Sequence, residues 1–209
     1  MTERITINTH SSIRIEAEKT VYIDPFKLEN AHHDGDIVFI THSHFDHFSP
    51  EDIEKAAKDD TVFVMPEGMK EDALNAGLAE ERIITLVPGQ KTDVCGISVE
   101  AVPSYNIGKP MHPKKNGWLG YVITAAGTRI YIGGDMDATP EAAEVKCDVA
   151  MVPIGGTYTM NAAEAAGLIN EMKPKIAIPT HYGSIVGEKS DEKTFTGLVD
   201  EGITVAIKL

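Results

Sequence analysis

An α/β (α+β) fold of two sheets packed face to face, with helices outside, is what this chain of 209 residues predicts. Three observations lead there. The opening alternates apolar and polar residues in short runs, as antiparallel strands with one buried face do. From residue 37 onward, short β-branched runs alternate with helix-like stretches, the pattern of β-α-β units. Several of those runs stop abruptly at Gly, Pro, His or Asp, so ligand-type residues fall just beyond strand ends.

Taken in order, Ile5-Thr6-Ile7, Ile13-Arg14-Ile15 and Val21-Tyr22-Ile23 are the opening strands. Strands at 37–40, 61–65 and 83–87 follow, separated by helices at about 50–58 and 67–76. Ser49-Pro50-Glu51-Asp52 supplies an N-cap, a proline at the first helical position and acids in the first turn. A helix therefore starts directly after the segment 41–47. Further strands are expected near 97–102, 118–124, 128–132, 148–152, 175–179 and 203–207. Asn161-Ala162-Ala163-Glu164 opens a helix through a capping-box pattern, which runs to about Met172 and stops before Pro174. The longest irregular segment, Pro103 to Gly117, is where substrate contacts are expected. With no internal repeat, low-complexity tract or linker, residues 1–209 are expected to form one domain.

The 42% hydrophobic and 24% charged fractions are ordinary for a soluble protein. The apolar runs fall far short of the roughly 20 residues that span a bilayer, and Met1-Thr2-Glu3-Arg4-Ile5 has no apolar signal region. A cytoplasmic protein with no membrane partner is expected. Cys95 and Cys147 are too few and too far apart for a disulfide framework, so both are expected reduced and buried. The net charge of −13 argues against nucleic acid, which is held by clustered Lys and Arg. A small-molecule substrate is expected, and an anionic one is compatible, since Lys109, Lys114 and Lys115 share the irregular loop. The oligomeric state stays open, a homo-oligomer included.

Chemistry concentrates in Thr41-His42-Ser43-His44-Phe45-Asp46-His47, directly after the apolar run Ile37-Val38-Phe39-Ile40. For this composition the pattern His-x-His-x-Asp-His arises by chance on the order of one time in a thousand. His42 and His44 leave an extended segment on the same side, while Asp46 and His47 lie past a bend and offer a neighbouring set of ligands. Imidazole and carboxylate without thiolate suit zinc, and also manganese, iron or nickel. One or two divalent ions are expected. Two other strand-like runs end in ligands: Arg129-Ile130-Tyr131-Ile132-Gly133-Gly134 before Asp135, and Lys175-Ile176-Ala177-Ile178-Pro179-Thr180 before His181. Sites in such sheets form beyond the carboxyl ends of strands. His42, His44, Asp46, His47, Asp135 and His181 are therefore the candidate metal ligands, with Gly133 and Gly134 allowing a sharp turn.

These residues resemble the metallo-β-lactamase superfamily of metallohydrolases. More narrowly, the chain is similar to its short, lactonase-like branch, which includes the ascorbate-6-phosphate lactonase relatives. Thr9-His10-Ser11-Ser12, Tyr22-Ile23-Asp24-Pro25-Phe26, Tyr131 to Asp135, Val152 to Met160 and Ile178 to Gly183 carry that likeness. The resemblance implies a four-layer αββα sandwich. It implies a first metal on His42 and His44, a second on Asp46, His47 and His181, and Asp135 as the bridge. Hydrolysis of an ester, lactone or phosphodiester by a metal-activated water is the implied activity. Asp46 would orient the attacking hydroxide or carry a proton. His10 and Asp24 would support the ligands, because metal-bound imidazoles donate their other N–H to an acceptor. A non-catalytic metal-binding module is the alternative. A di-iron redox protein is a weaker one, since that branch has an acidic residue where His44 stands.

One departure from the pattern concerns the first metal. Its usual third histidine would follow the strand Ile97 to Val102, but Pro103-Ser104-Tyr105-Asn106 stands there. Asn106 is the nearest positional match, and His112 is the loop's only histidine. Tyr105, Asn106 and His112 are thus the candidate substrate contacts, with His112 also a candidate catalytic group or replacement ligand.

Overall fold

The computed structural model describes all residues from Met1 to Leu209. One sheet has six strands in sequential order: β1 (Ile5–Thr9), β2 (Ser12–Glu16), β3 (Thr20–Ile23), β4 (Gly35–Phe39), β5 (Ala57–Pro66) and β6 (Ile83–Leu86). The other has seven: β7 (Lys91–Val94), β8 (Ile97–Pro103), β9 (Leu119–Ala125), β10 (Thr128–Ile132), β11 (Val149–Pro153), β12 (Ile176–Thr180) and β13 (Thr204–Val205). In the first sheet β1 to β3 pair antiparallel and β3 to β6 parallel. In the second, β7 to β10 pair antiparallel and β10 to β13 parallel. The helices are α1 (Pro50–Ala56), α2 (Lys70–Asn75), α3 (Pro140–Ala143), α4 (Ala162–Met172) and α5 (Asp191–Leu198).

Strand alternation sorts the apolar side chains into three layers. Ile15, Val21, Ile37 and Phe39 point inward from the first sheet and meet Val99, Tyr121, Ile123 and Ile130 of the second. The alternate residues point outward. Tyr22, Val38 and Phe63 meet Ile53 and Ala56 of α1 and Ala73 of α2, while Val122, Tyr131 and Ala150 meet α4 and Phe195 of α5. The result is the αββα sandwich. Burying each such Ile or Phe contributes roughly 1.5–3 kcal/mol, so the inter-sheet layer is the main source of cohesion.

Helix starts follow the capping chemistry. Ser49 Oγ accepts from Asp52 N ahead of Pro50, and Asn161 with Glu164 forms the reciprocal capping box of α4. The stretch 67–76 divides into a 3₁₀ turn over Glu67–Met69 and α2. The strand near 203–207 shortens to β13. Cys95 departs from expectation: it is exposed, because it forms the two-residue β7–β8 turn with Gly96, both at positive φ (52° and 86°). Cys147 is half-buried. No helix is long and apolar enough to cross a membrane.

Two contacts tie the segment leaving β4 to the opposite sheet. Tyr121 Oη donates to Ile40 O at 2.7 Å, and Leu119 N donates to Thr41 O at 3.1 Å. The histidine-rich loop is thereby anchored to both sheets before it turns outward.

Candidate metal centre

Strand ends from both sheets converge on one point. β4 delivers Thr41 to His47, β10 delivers Asp135, β12 delivers His181, the loop after β8 delivers His112, and the β1–β2 turn delivers His10. Six of the eight histidines therefore meet here, leaving only His32 and His33 on the surface. The turn carrying Asp135 needs Gly134 at φ +66°, where a Cβ would also stand 3.1 Å from Thr41 Cβ and 3.2 Å from Ser104 Oγ. At His181, a Cβ on Gly155 would collide with the carbonyl oxygen, so glycine there lets the two loops close together.

The Asp135 carboxylate is the centre of the array. Its Oδ2 lies 3.0 Å from His181 Nε2, 3.3 Å from His112 Nε2 and 3.9 Å from His42 Nε2, and its Oδ1 lies 3.3 Å from His47 Nε2. On one side His42, His44 and His112 form a cluster, with His44 Nδ1 3.1 Å from His42 Nε2 and 3.2 Å from His112 Nε2. On the other, Asp46 Oδ2 lies 3.2 Å from His10 Nε2, 3.6 Å from His47 Nε2 and 3.7 Å from His181 Nε2. Asp135 separates two neighbouring ligand sets.

Several buried atoms in this array lack any hydrogen-bond partner: His47 Nε2, Asp135 Oδ1, both ring nitrogens of His181, and His10 Nδ1. Buried polar groups are seldom left so. His47 Nε2, His181 Nε2 and Asp135 Oδ1 all belong to the converging set, which is the geometry a divalent cation satisfies. Imidazole with carboxylate is a donor set suited to zinc and the neighbouring transition metals. The residues therefore fit the expected ions.

Outer partners fix the ring orientations. Asp24 Oδ1 accepts from Thr41 N at 2.8 Å, and its Oδ2 accepts from Thr41 Oγ1 at 2.6 Å and from His47 Nδ1 at 2.7 Å. Having donated its proton, the Thr41 hydroxyl accepts from His42 Nδ1 at 3.0 Å. Both rings then carry their proton on Nδ1 and present Nε2 inward. His112 is set the same way, with Nδ1 2.9 Å from Asn106 Oδ1. Asp24, His10 and His181 hold φ of +46°, +55° and +58°, a conformation costly for residues with a Cβ and characteristic of functional sites.

Electrostatics agree with the arrangement. Burial lowers the pKa values of His42, His44 and His10, keeping them neutral and ready to ligate. Burial alone would lower His47 and His181 too, but the neighbouring carboxylates together outweigh it and raise both: Asp135 with Asp24 at His47, and Asp135 with Asp46 at His181. Burial would raise Asp135 and Asp46; the surrounding histidines outweigh it and hold both below the usual carboxylate range. Burial pushes Asp24 up, against the pull of His47 and Thr41.

Of the three loop residues, His112 lines the cavity over the cluster, whereas Tyr105 and Asn106 do not. Tyr105 does not line the cavity over the cluster; its hydroxyl donates to Glu141 at 2.8 Å on the far side of the loop. Asn106 is buried, with Oδ1 at His112 and Nδ2 donating to Tyr158 O at 2.9 Å, so its amide faces the protein and not a substrate. His112 lies among the candidate ligands, with Nε2 3.3 Å from Asp135 Oδ2, and also faces the cavity above them. Thr41, placed between Asp24 and His42, and Trp118, whose ring lies 4.9 Å from His42 and 5.0 Å from His44, had no assigned part in the sequence reading. Thr41 was legible as the hydroxyl at the strand end. Trp118 carried no signal beyond being the only tryptophan.

Fold and centre together define a metallo-β-lactamase-type architecture with a histidine- and aspartate-lined metal site. The chain belongs to the beta-lactamase superfamily domain family, whose model matches residues 4–181. A UPF0173 metal-dependent hydrolase of Thermoplasma volcanium is 29% identical to it, covering 95% of this chain and 92% of that protein. A solved structure from Parabacteroides distasonis, assigned as a metal-dependent hydrolase, superposes with a TM-score of 0.82 at 29% identity, covering 98% of this chain and 92% of the other. A Thermotoga maritima structure of the metallo-beta-lactamase superfamily, assigned as a Zn-dependent hydrolase, shares the fold with a TM-score of 0.65 at 23% identity, covering 97% and 96%.

Proposed function

We propose that the protein is a metal-dependent hydrolase of small molecules, cleaving ester, lactone or phosphodiester-type bonds, with zinc as the ion its ligands suit best. The observation that carries this is the Asp135 carboxylate set among Nε2 atoms of four histidines drawn from three separate segments, those after β4, β8 and β12. Its relatives' description as metal-dependent hydrolases supports the same reading. A divalent ion held there would supply a Lewis acid for a carbonyl or phosphoryl oxygen and would lower the pKa of a water towards neutrality.

The chain's own residues divide the remaining work. His42, His44 and His112 would hold one ion, and Asp46, His47, His181 and the adjacent His10 a second, with Asp135 within reach of both groups. Asp46 also lines the cavity over the cluster. Its carboxylate, kept ionised by His10 and His181, is the group placed to take a proton from water or pass one to the leaving group. Asp24, Thr41 and Asn106 act through the rings they orient. Metal analysis of the purified protein, with turnover on a panel of lactones, esters and phosphodiesters, tests the proposal. Asp135→Asn and His181→Ala are expected to abolish both tight metal binding and hydrolysis. Retention of full metal stoichiometry and activity by either variant overturns the assignment. A metal-loaded protein inert on the whole panel points to the non-catalytic reading.

A further inference from the structure

The cavity above the centre has a floor and a rim of opposite character. Its volume is about 230 Å³. The floor is His44, Asp46, His112 and Asp135; the rim is Phe45, Met111, Tyr158 and Ile185. No Lys or Arg lines it. The rim residues come from four separate loops, yet all are large apolar or aromatic side chains held towards solvent, with exposures of 68% for Phe45, 43% for Met111, 37% for Tyr158 and 39% for Ile185. Scattered exposed apolar residues are ordinary, but a ring of them around a cavity marks a binding site. Phe45 is held in place by Phe26, the two rings meeting edge to face at 6.0 Å.

None of the loop lysines Lys109, Lys114 and Lys115 lines this cavity, and two of them are paired elsewhere. Lys109 Nζ lies 2.5 Å from Asp137 Oδ1 and 2.7 Å from Thr159 O, and Lys114 Nζ lies 2.6 Å from Glu141 Oε1. An anionic group on the substrate, apart from the reacting one, would meet Asp46, Asp135 and an apolar rim. Desolvating a charge against such a surface is costly.

Resting on the hydrolase reading above, we propose that the site takes a neutral substrate with an apolar group beside the scissile bond, the size of a short acyl chain or a single ring. A cavity of about 150 Å³ accepts benzene, so the space here holds one such group with its linkage. This departs from the anionic substrate that the loop lysines had made compatible.

Matched ligands test it on the full-length protein loaded with Zn²⁺. Methyl hexanoate is compared with the monomethyl ester of adipic acid, the same chain ending in carboxylate, and both with methyl acetate. The neutral long ester is expected to have the higher kcat/KM by at least about tenfold, rising by up to about fourfold per methylene until the cavity is full. Phe45→Ser with Met111→Ser should flatten that dependence on chain length while metal content stays the same. Binding is read separately through Trp118 fluorescence, since that ring packs against His44 and, at 5.5 Å, His112. Hexanamide is expected to bind at least about tenfold more tightly than the same amide ending in carboxylate. Binding preference without turnover removes the hydrolase reading and leaves the apolar site standing. Equal binding, preference for the anion, or no binding of either amide overturns the inference, whatever the turnover.

Discussion

Asp24→Asn isolates the outer support of the metal centre better than any ligand substitution. The side chain keeps its shape, and asparagine tolerates the φ of +46° at this position. Its oxygen retains the bond from Thr41 N, but an NH₂ group then faces Thr41 Oγ1 and His47 Nδ1 where a carboxylate oxygen accepted from both. Relief requires His47 to move its proton to Nε2, the atom aimed at Asp135. It also requires Thr41 to turn its hydroxyl towards His42 Nδ1, which drives the His42 proton inward as well. Loss of one such partner typically costs about 10- to 100-fold in metal affinity. Because Asp24 supports His47 directly and His42 through Thr41, the expected loss is about 10²- to 10⁴-fold.

The assay is competition for Zn²⁺ against a chromogenic chelator at neutral pH, with circular dichroism as the check on folding. Nitrogen-15 shifts of the His42 and His47 rings report the tautomers independently. Wild-type-like Kd within threefold, with both rings still protonated on Nδ1, would refute the relay. A folded variant that has lost affinity while its tautomers are unchanged would place the effect of Asp24 in packing instead.

Metal uptake should release protons, because neighbouring carboxylates raise His47 and His181 whereas burial lowers His42, His44 and His10. Raised groups hold protons in the metal-free fold until pH passes their folded pKa, so metal affinity is expected to keep rising as pH climbs above the ordinary histidine value of 6.5; titration calorimetry in buffers of different ionisation heat that finds neither proton release nor pH dependence would contradict this. His112→Ala should strip one ion or lower turnover by about 10²- to 10⁴-fold, and Asn106→Ala, which removes its orienting partner together with the bond to Tyr158 O, should weaken metal affinity by about 10- to 100-fold. Equal, unperturbed metal content in both variants would remove the loop from the centre. A thiol reagent at pH 8 should modify exposed Cys95 rapidly and Cys147 slowly, since burial pushes the Cys147 thiol up to about 11. Two equally fast thiols would show that the Cys147 environment is open.

What the sequence disclosed, and what it hid, follows from how each feature is built. The His42 to His47 motif was legible because its ligands are contiguous. Asp135 and His181 were legible because a buried strand stops at each, so position along the chain stands in for position in space. β7 and α5 carried little signal for the opposite reason: β7 buries only Val94, and α5 buries only Phe195 among polar neighbours, so neither shows an apolar period. The loop after β8 defeated sequence reasoning more completely. Its side-chain directions come from particular hydrogen bonds, such as Asn106 N to His112 O at 2.7 Å and Ile107 N to Asp137 Oδ2 at 2.8 Å, which no periodicity encodes. Membership of the loop therefore placed Tyr105 near substrate, when its hydroxyl is spent on Glu141, and left undecided His112, which the same bonds turn into the ligand array. Specificity has the same origin. Phe45, Met111, Tyr158 and Ile185 are far apart in the chain and unremarkable singly, and only the closure of four loops over the strand ends makes them one apolar rim around a polar floor.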